Sequence, residues 1–576
     1  MKNIKKEIEK ILRKVGVTTE VELSSPPKPE MGDLAFGCFG IAKELGKNPA
    51  EMATEIVQKI ERLKGCKIID EVKAFGPYVN FYLNAQELAK VVLQDEEVGK
   101  NNLGNGKRVM VEFAHPNTHK AFHIGHLRNI TTGESVVRIL ENAQYDVVRA
   151  NYQGDVGMHI AKCLYGILQT QNSKLKTQNF DKLKTINEKV EFLGKAYAAG
   201  SKAFEESEDA KKEIVEINEK IYSHDSSIKE TYETTREWSL EYFDNIYKRV
   251  GSHFDRLYFE SETFARGVEI VHKHLKTGVF KESEGAIIFE GSKHGLHDRV
   301  FINSKGFPTY EAKDLALAEL QFKEYKPEAI YHVVAREQSE YFKVMFRALE
   351  STLPESKGKE HHMVYGWVSL KDGKMSSRLG NVVLGEALID EVKNHIKEIM
   401  GESKVKDKEE VAEKVAIGAI KYAFLKTGVS NDIQFDMKES ISTTGDSGPY
   451  LLYIVARIKS ILRKNQDTRN KKFKISNLKS LDPDSGFQIF DVEKKLLMRL
   501  GRFDETTELA AEELDPSKIA QYLFSLAQDF NTFYHDCPVL QAEETVRNFR
   551  LSLIQTVEKV MTRGLYLLGI ETVEEM

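Results

Sequence analysis

The sequence predicts an α/β protein: a doubly wound parallel sheet at its centre, a small α+β unit before it and an all-helical unit after it. Three observations carry this. Residues 108–161 read strand–helix–strand, the repeating unit of such a sheet. β-rich apolar runs return at EGAIIFEG, DRVFINS, AIYHVVA and HMVYGWVSL. From about 390 onward the apolar spacing is almost wholly helical. A length of 576 residues corresponds to about three to five domains at roughly 100–200 residues each.

The elements follow in order. In residues 1–100, PPKPEMGD is a loop, and Asn48-Pro49 opens a helix with Pro in the first turn. AFGPYVNFYLN alternates and reads as one strand. Glycines and asparagines at 99–106 mark a linker. RVMVEFA is a buried strand, HPNTHKAF a loop, HIGHLRNITTGESVVRILENAQ a helix and YDVVRANY a second strand. Residues 165–250 are charged and helical, an insertion into the sheet-forming region. The expected layout is 1–100, then 107–390 with its insertion, a helical connection over 391–444, and helices over 445–576.

Composition excludes several classes. Charged residues make up 30% and hydrophobic ones 41%, which rules out a collagen, a coiled-coil rod or a disordered tail protein. The formal net charge of −5 gives no hint of a polyanion partner. Cysteines 38, 66, 163 and 537 lie too far apart for zinc-ligand spacing, so no zinc is expected and reduced thiols are. The N-terminus lacks the apolar core of a signal peptide, and no run reaches about 18 apolar residues. A cytoplasmic protein with no membrane partner is expected.

Two motifs carry chemistry. His123-Ile124-Gly125-His126 follows a strand and opens a helix, at the sheet edge where ligands bind and helix N–H groups face phosphates. Imidazoles at i and i+3 share a face and can donate to phosphate oxygens, and Gly125 leaves room for a flat base. Alone, two such histidines are more often ordinary core or surface side chains; the strand–loop–helix context reverses that reading. Lys374-Met375-Ser376-Ser377-Arg378 is a glycine-flanked basic loop, suited to meeting charge as it develops on a departing pyrophosphate. Alone it reads as an exposed loop.

In this order and about 250 residues apart, the two motifs resemble the signature pair of class I aminoacyl-tRNA synthetases. EFAHPNTHKAFHIGHLRN, NYQGDVGMHIAK, TYEAKDLALAEL, VVAREQSEYFKVMF and GDSGPYLLYIVARI are similar to blocks of the arginyl-tRNA synthetase family, nearly end to end. The resemblance implies a Rossmann-type nucleotide-binding core, an N-terminal domain that touches the tRNA D-loop and a helical anticodon-binding domain. It implies attack of the arginine carboxylate on the α-phosphorus of ATP, supplied with Mg²⁺, followed by transfer to the terminal ribose of tRNA-Arg.

The same resemblance assigns residues. His123, Gly125, His126, Lys374, Met375, Ser376, Ser377 and Arg378 would hold ATP, with His123, His126 and Lys374 acting in catalysis. Asp314 would pair with the guanidinium, whose five donors and lack of acceptors demand carboxylates. Tyr310, four residues earlier on the same helix face, would flank it. Glu112 would be a second acid, Asn117 would hold the amino or carboxylate end, and Gln338 would close the pocket. A charged bidentate site rejects uncharged analogues, which fits the absence of a large β-rich editing insertion. Ser377 stands where class I enzymes usually carry Lys, and Lys120, three residues before His123, is the expected substitute, with Lys374 and Arg378 assisting.

Residues 451–480 hold nine Lys or Arg and one acid, Asp467, a local charge of +8. By itself this does not separate a solvated helix face from a polyanion contact. With the family in view, Arg457, Arg463, Lys464, Lys471, Lys472 and Lys474 are expected to track tRNA phosphates. Of Phe75, Tyr78 and Phe81, candidates at the tRNA corner, at least two are expected in the core. A monomer is expected. The competing readings are another class I synthetase, a nucleotidyltransferase sharing the first signature, and a non-catalytic tRNA-binding relative.

Overall fold

The computed structural model describes residues 1–63, 66–172, 180, 183–371, 378–379, 382–401, 405–467 and 488–576. Four antiparallel strands, β1 (Leu23–Ser24), β2 (Leu34–Gly37), β3 (Ile69–Phe75) and β4 (Tyr78–Leu83), form the N-terminal sheet in the order β1-β2-β4-β3. The helix at Pro49–Glu61 starts as its sequence predicts, with the Asn48 side chain accepting from the Ala50 N–H at 2.8 Å. AFGPYVNFYL, however, is not one strand. Gly76 turns at φ 55° and Phe75 pairs with Tyr78, so the segment is the tip of a hairpin. Phe75 and Tyr78 therefore flank the turn and stand exposed, and only Phe81 is buried. The expectation that at least two of the three pack inside is corrected by this turn.

The central sheet is parallel throughout. It contains β5 (Arg108–Glu112), β6 (Asp146–Gln153) and β7 (Arg256–Phe259), then β11 (Ala329–Ala335) and β12 (Glu360–Tyr365), in the order β12-β11-β5-β6-β7. A separate antiparallel sheet, β8 (Lys281–Ser283), β9 (Ala286–Phe289) and β10 (Arg299–Ile302), lies between them in sequence. The chain leaves β5 toward β6 on one side and returns to β11 on the other. The order thus reverses between β5 and β11, and the crevice beyond their C-terminal ends is where such sheets bind ligands. The helix Ile124–Asn142 rests directly on β5, since a Cβ on Gly133 would lie 2.3 Å from Phe113 Cγ.

Over the predicted insertion the described residues form four α-helices: Met158–Asn172, Ile186–Glu206, Glu208–Tyr222 and Ser226–Arg249. The first two touch backbone to backbone. A Cβ on Gly200 would sit 1.8 Å from Lys162 O, and one on Gly166 would sit 2.1 Å from Ala196 O. Gly200→Ala forces them apart, and such overpacking costs about 1–3 kcal/mol. The expected result is a lower denaturant midpoint, with hydrogen-exchange protection lost first in these two helices.

HMVYGWVSL breaks into β12 and β13 (Val368–Leu370), because Gly366 passes against the chain at Asn431 too closely for any side chain. A short hairpin, β14 (Arg378–Leu379) with β15 (Val382–Val383), follows. β13 pairs in parallel with β16 (Ile433–Phe435), the one described strand in the otherwise helical region after 390. The last helices, Gly448–Asp467, Asp491–Gly501, Phe503–Glu512, Ser517–Asp536 and Glu544–Leu567, share one continuous apolar core with the N-terminal sheet and the central sheet. Polar clasps join the first hundred residues to the helical unit: the Met1 ammonium donates to Gly501 O, and the Gly99 N–H donates to Asp504 Oδ1 at 2.6 Å. No described helix is long and apolar enough to cross a membrane.

Candidate active site

The loop after β5 bends sharply. Ala114, His115 and His119 all carry positive φ, at 78°, 49° and 61°. Non-glycine residues hold this conformation only where neighbours over-determine it. Those neighbours are present: the Ala114 N–H donates to Asn129 Oδ1 at 2.6 Å, and the His119 N–H to Ser239 Oγ at 2.9 Å. Asn117 bridges to Gly154 beyond the end of β6. A Cβ on Gly154 would lie 2.1 Å from Asn117 Oδ1, so this glycine makes the room that Asn117 occupies.

His123 is the N-cap of the following helix. Its Nδ1 accepts from the N–H groups of Gly125 and His126 at 3.1 and 3.4 Å. In return His126 Nδ1 accepts from the His123 N–H at 3.2 Å, and the rings stack with centroids 3.7 Å apart. An imidazole whose Nδ1 accepts carries its proton on Nε2. The reciprocal cap therefore sets both rings as neutral Nε2–H donors. Burial and the nearby Lys120 charge push His123 below its usual range, and burial with the charges around it pushes His126 well below. Gly125 has a local reason beyond base access, because its Cβ would sit 2.9 Å from His123 Cε1.

Lys120 lies one turn of chain upstream. Burial lowers its pKa, and its Nζ stands 5.7 Å over the Tyr197 ring of the insertion. A cavity of about 200 Å³ opens there, walled by Lys120 and Ala121 on one side and Val190 and Gly194 on the other. The insertion thus forms one wall beside the first signature.

In the second signature, Lys374, Met375, Ser376 and Ser377 lie outside the described residues, and Arg378 is described only as a strand position in β14. The exit of this motif is described. His123 bridges antiparallel to Leu384, and the Gly385 N–H donates to Phe122 O at 2.9 Å. The chain leaving the second motif therefore docks on the first.

Across the crevice, the helix Tyr310–Tyr325 carries Asp314. Burial pushes its carboxyl up to about 7, against a hydrogen bond from the Tyr341 hydroxyl that lowers it. Tyr310, one turn before Asp314 on the same helix, is 61% exposed. Behind it Lys313 makes a buried ion pair with Glu260 at 2.7 Å, and Lys313 Nζ lies 4.7 Å from the Tyr310 ring centre. Gln338 is exposed, in the short turn Arg336–Gln338 that follows β11.

Glu112 ends β5 and is buried. It is not a bare acid. His332 Nδ1 lies 3.1 Å from its Oε1, and the Gln321 amide donates to its Oε2. The other ring nitrogen of His332 lies 2.6 Å from Glu360 Oε2. Glu112, Asp314, Gln321, His332 and Glu360 line one small cavity of about 40 Å³. Sequence reasoning missed Tyr341, Gln321, His332 and Glu360. A histidine inside the apolar strand AIYHVVA was a visible signal; the other three had none.

On the helical unit, Arg457 lies 4.4 Å over the Tyr534 ring and Tyr450 is buried. Arg463 and Lys459 reach Glu574 at 3.3 and 2.6 Å, and Arg463 also reaches Glu575 at 3.3 Å. The local sum of +8 is therefore partly offset by carboxylates about a hundred residues later in the chain. Lys464 lies on the helix Gly448–Asp467, while Lys471, Lys472 and Lys474 lie outside the described residues. Among the described residues, no group of three or more His, Cys, Asp or Glu could hold a metal ion.

Comparison with known proteins agrees with this geometry. Residues 2–83 match the arginyl tRNA synthetase N terminal domain, residues 87–437 the catalytic domain of tRNA synthetases class I (R), and residues 451–576 the DALR anticodon binding domain. An arginine–tRNA ligase of Treponema denticola is 34% identical over 572 residues, 97% of this chain and 95% of that protein. One of Bdellovibrio bacteriovorus is 33% identical, over 96% of this chain and 94% of its own length. The arginyl-tRNA synthetase of Thermus thermophilus superposes with a TM-score of 0.80 at 27% identity, over 100% of both chains. A parallel sheet switched between β5 and β11, a histidine-capped helix at that switch and matches along nearly the whole sequence have one explanation: the chain belongs to the arginyl-tRNA synthetase family of class I aminoacyl-tRNA synthetases.

Proposed function

We propose that this chain, an arginine–tRNA ligase, runs its reaction through the residues described above. Arginine enters with its guanidinium toward Asp314 and Glu112, Tyr310 along its side and Gln338 over it. Asn117 takes the amino or carboxylate end. ATP, carried with Mg²⁺ as substrate, lies over Gly125. The Nε2–H groups of His123 and His126 donate to its phosphates. Lys120, Lys374 and Arg378 meet the charge of the departing pyrophosphate, with Met375, Ser376 and Ser377 completing that loop's contact with ATP. Little covalent chemistry falls to the protein, and rate comes from positioning and charge stabilisation. The arginyl group then passes to the 3′-terminal ribose of tRNA-Arg, in cytoplasmic protein synthesis.

The observation that most supports this reading is the pairing of a neutral histidine cap with a buried acid cluster at one sheet switch. The first binds phosphates and the second binds a cation; together they fit a nucleotide and an arginine at adjoining places. We also read residues 1–100 as the tRNA-corner domain, 107–390 as the catalytic domain, 391–444 as the connection and 445–576 as the anticodon-binding domain. Arg457, Arg463, Lys464, Lys471, Lys472 and Lys474 would follow the tRNA backbone, Arg463 by exchanging Glu574 and Glu575 for phosphates.

Charging of bulk tRNA tests the reading. Arginine is expected to be the amino acid esterified, with lysine, glutamate and cysteine at background; charging of another amino acid overturns the assignment. Pyrophosphate exchange with arginine should stay negligible until tRNA is added. Exchange without tRNA would remove that dependence and leave the substrate standing.

A further inference from the structure

His332 sits on β11 directly opposite Glu112 of β5 in the parallel register, with β12 on its other side. Its two ring nitrogens face two different carboxylates, Glu112 at 3.1 Å and Glu360 at 2.6 Å. A neutral imidazole has one donor and one acceptor, and a carboxylate only accepts. Two carboxylate partners therefore require one proton more than neutral histidine carries. The three side chains hold one net negative charge between them, with His332 the cation. All three are nearly sealed, with side-chain exposures of 9%, 5% and 4% for His332, Glu112 and Glu360. The rings of Phe342 and Phe346 close over the imidazole.

We propose that His332 is a positioning residue of the arginine site: clamped between Glu112 and Glu360, it is the built-in cation that keeps the Glu112 carboxylate charged and aimed while the pocket is empty. This rests on the reading of Glu112 as a guanidinium ligand. An ionised carboxylate offers about four lone-pair positions, of which His332 and Gln321 take two, so Glu112 keeps acceptors for the substrate. Without a cation beside it, a carboxyl buried at 3% exposure takes up a proton and loses its attraction for guanidinium.

The charges around His332 agree. From β5 and its loop come Glu112 and His115; from the helix Tyr310–Tyr325, Asp314; from β12, Glu360, His361 and His362. Burial, together with the His332 charge, holds His115, His361 and His362 below the ordinary histidine range, so none of them competes as the cation at neutral pH. The helix Ser339–Thr352 contributes aromatic rings to this contact. Burial works against the His332 charge, yet Glu112 and then Glu360 outweigh it and hold this imidazole well above its usual range; Glu112 is held below its own.

The test is His332→Leu in the full-length enzyme, with the arginine KM for tRNA charging measured against wild type across pH. Removing the cation raises the Glu112 pKa, so Glu112 is protonated at low pH and recharged as pH rises. The expected ratio of variant to wild-type KM is about tenfold or more near pH 6 and within about threefold near pH 8.5, with kcat little changed. His332 also helps hold the Asp314 carboxyl down, so the ratio is repeated in the Asp314→Asn background, where the same pH trend is expected and its loss overturns the proposal. His332→Gln, which retains a donor and fits the same space, should show the same trend with smaller amplitude, and it decides the matter if the leucine variant does not fold. A KM ratio that is constant across pH, or within about twofold of one throughout, overturns the proposal. Wild-type charging run in parallel separates the two failures: if the wild type charges no arginine, the functional reading falls instead.

Discussion

Asp314→Asn is expected to raise the arginine KM for tRNA charging by roughly 30- to 4000-fold, the equivalent of about 2–5 kcal/mol for truncating one partner of a buried hydrogen-bonded charge pair. The side chain keeps its shape and its contact with Tyr341, and loses only the charge the guanidinium requires. The effect belongs in KM, because the proposed contact would exist before and during the reaction alike. Asp314 also sets a pH dependence. Burial raises its carboxyl to about 7, so it is largely protonated at pH 6 and ionised at pH 8. Guanidinium stays charged throughout. Arginine binding therefore strengthens as pH rises through about 7, and the wild-type KM falls about tenfold per unit below that point before levelling off. The Asp314→Asn enzyme should lack this slope. A KM unchanged within a few-fold would move the guanidinium site away from this helix.

Lys120→Ala is expected to lower the rate of tRNA-dependent pyrophosphate exchange by about 10²–10³-fold, the usual loss when one preorganised donor is taken from a developing anion. The arginine KM should change little, since Lys120 lies beside His123 and His126, where the proposal puts ATP. The need for it comes from Ser377, which stands where a second loop lysine is usual. The means come from position: Lys120 is close enough to bear on both His123 and His126 electrostatically, and its stem is long. Its contact with the Tyr197 ring holds the cation beside His123. Lys120→Arg should retain part of the rate. Exchange that survives Lys120→Ala within a few-fold would show that Lys374 and Arg378 suffice.

Much of the fold was legible because it depends on local pattern. The Asn48 cap, the strand at 108–112, the helix from Ile124 and the helical insertion all follow from residue spacing within a few turns of chain. The errors share a cause as well. Gly76-Pro77 and Gly366 each break a β-rich run, and a run of β-formers does not reveal that its two halves belong to different strands. Candidate site residues could be named from sequence where a motif repeats a family pattern, as at His123, Asn117 and Asp314. The site was not legible where partners meet from distant segments. Nothing in KGKEHH announces that Glu360 will face His332, or that Tyr341 will donate to Asp314.

The sequence by itself determined the class of fold, the family and the residue types available to a nucleotide and an arginine. These are carried by periodicity, composition and short motifs, all of which act over neighbouring residues. Only the tertiary structure decided the protonation and direction of those residues. The proton on Nε2 of both signature histidines follows from a reciprocal cap. The charge on Glu112 follows from a histidine two hundred residues later, and the partial neutralisation of the basic helix follows from Glu574 and Glu575. Charge state depends on burial and on partners a few ångströms away, and both are properties of the folded chain.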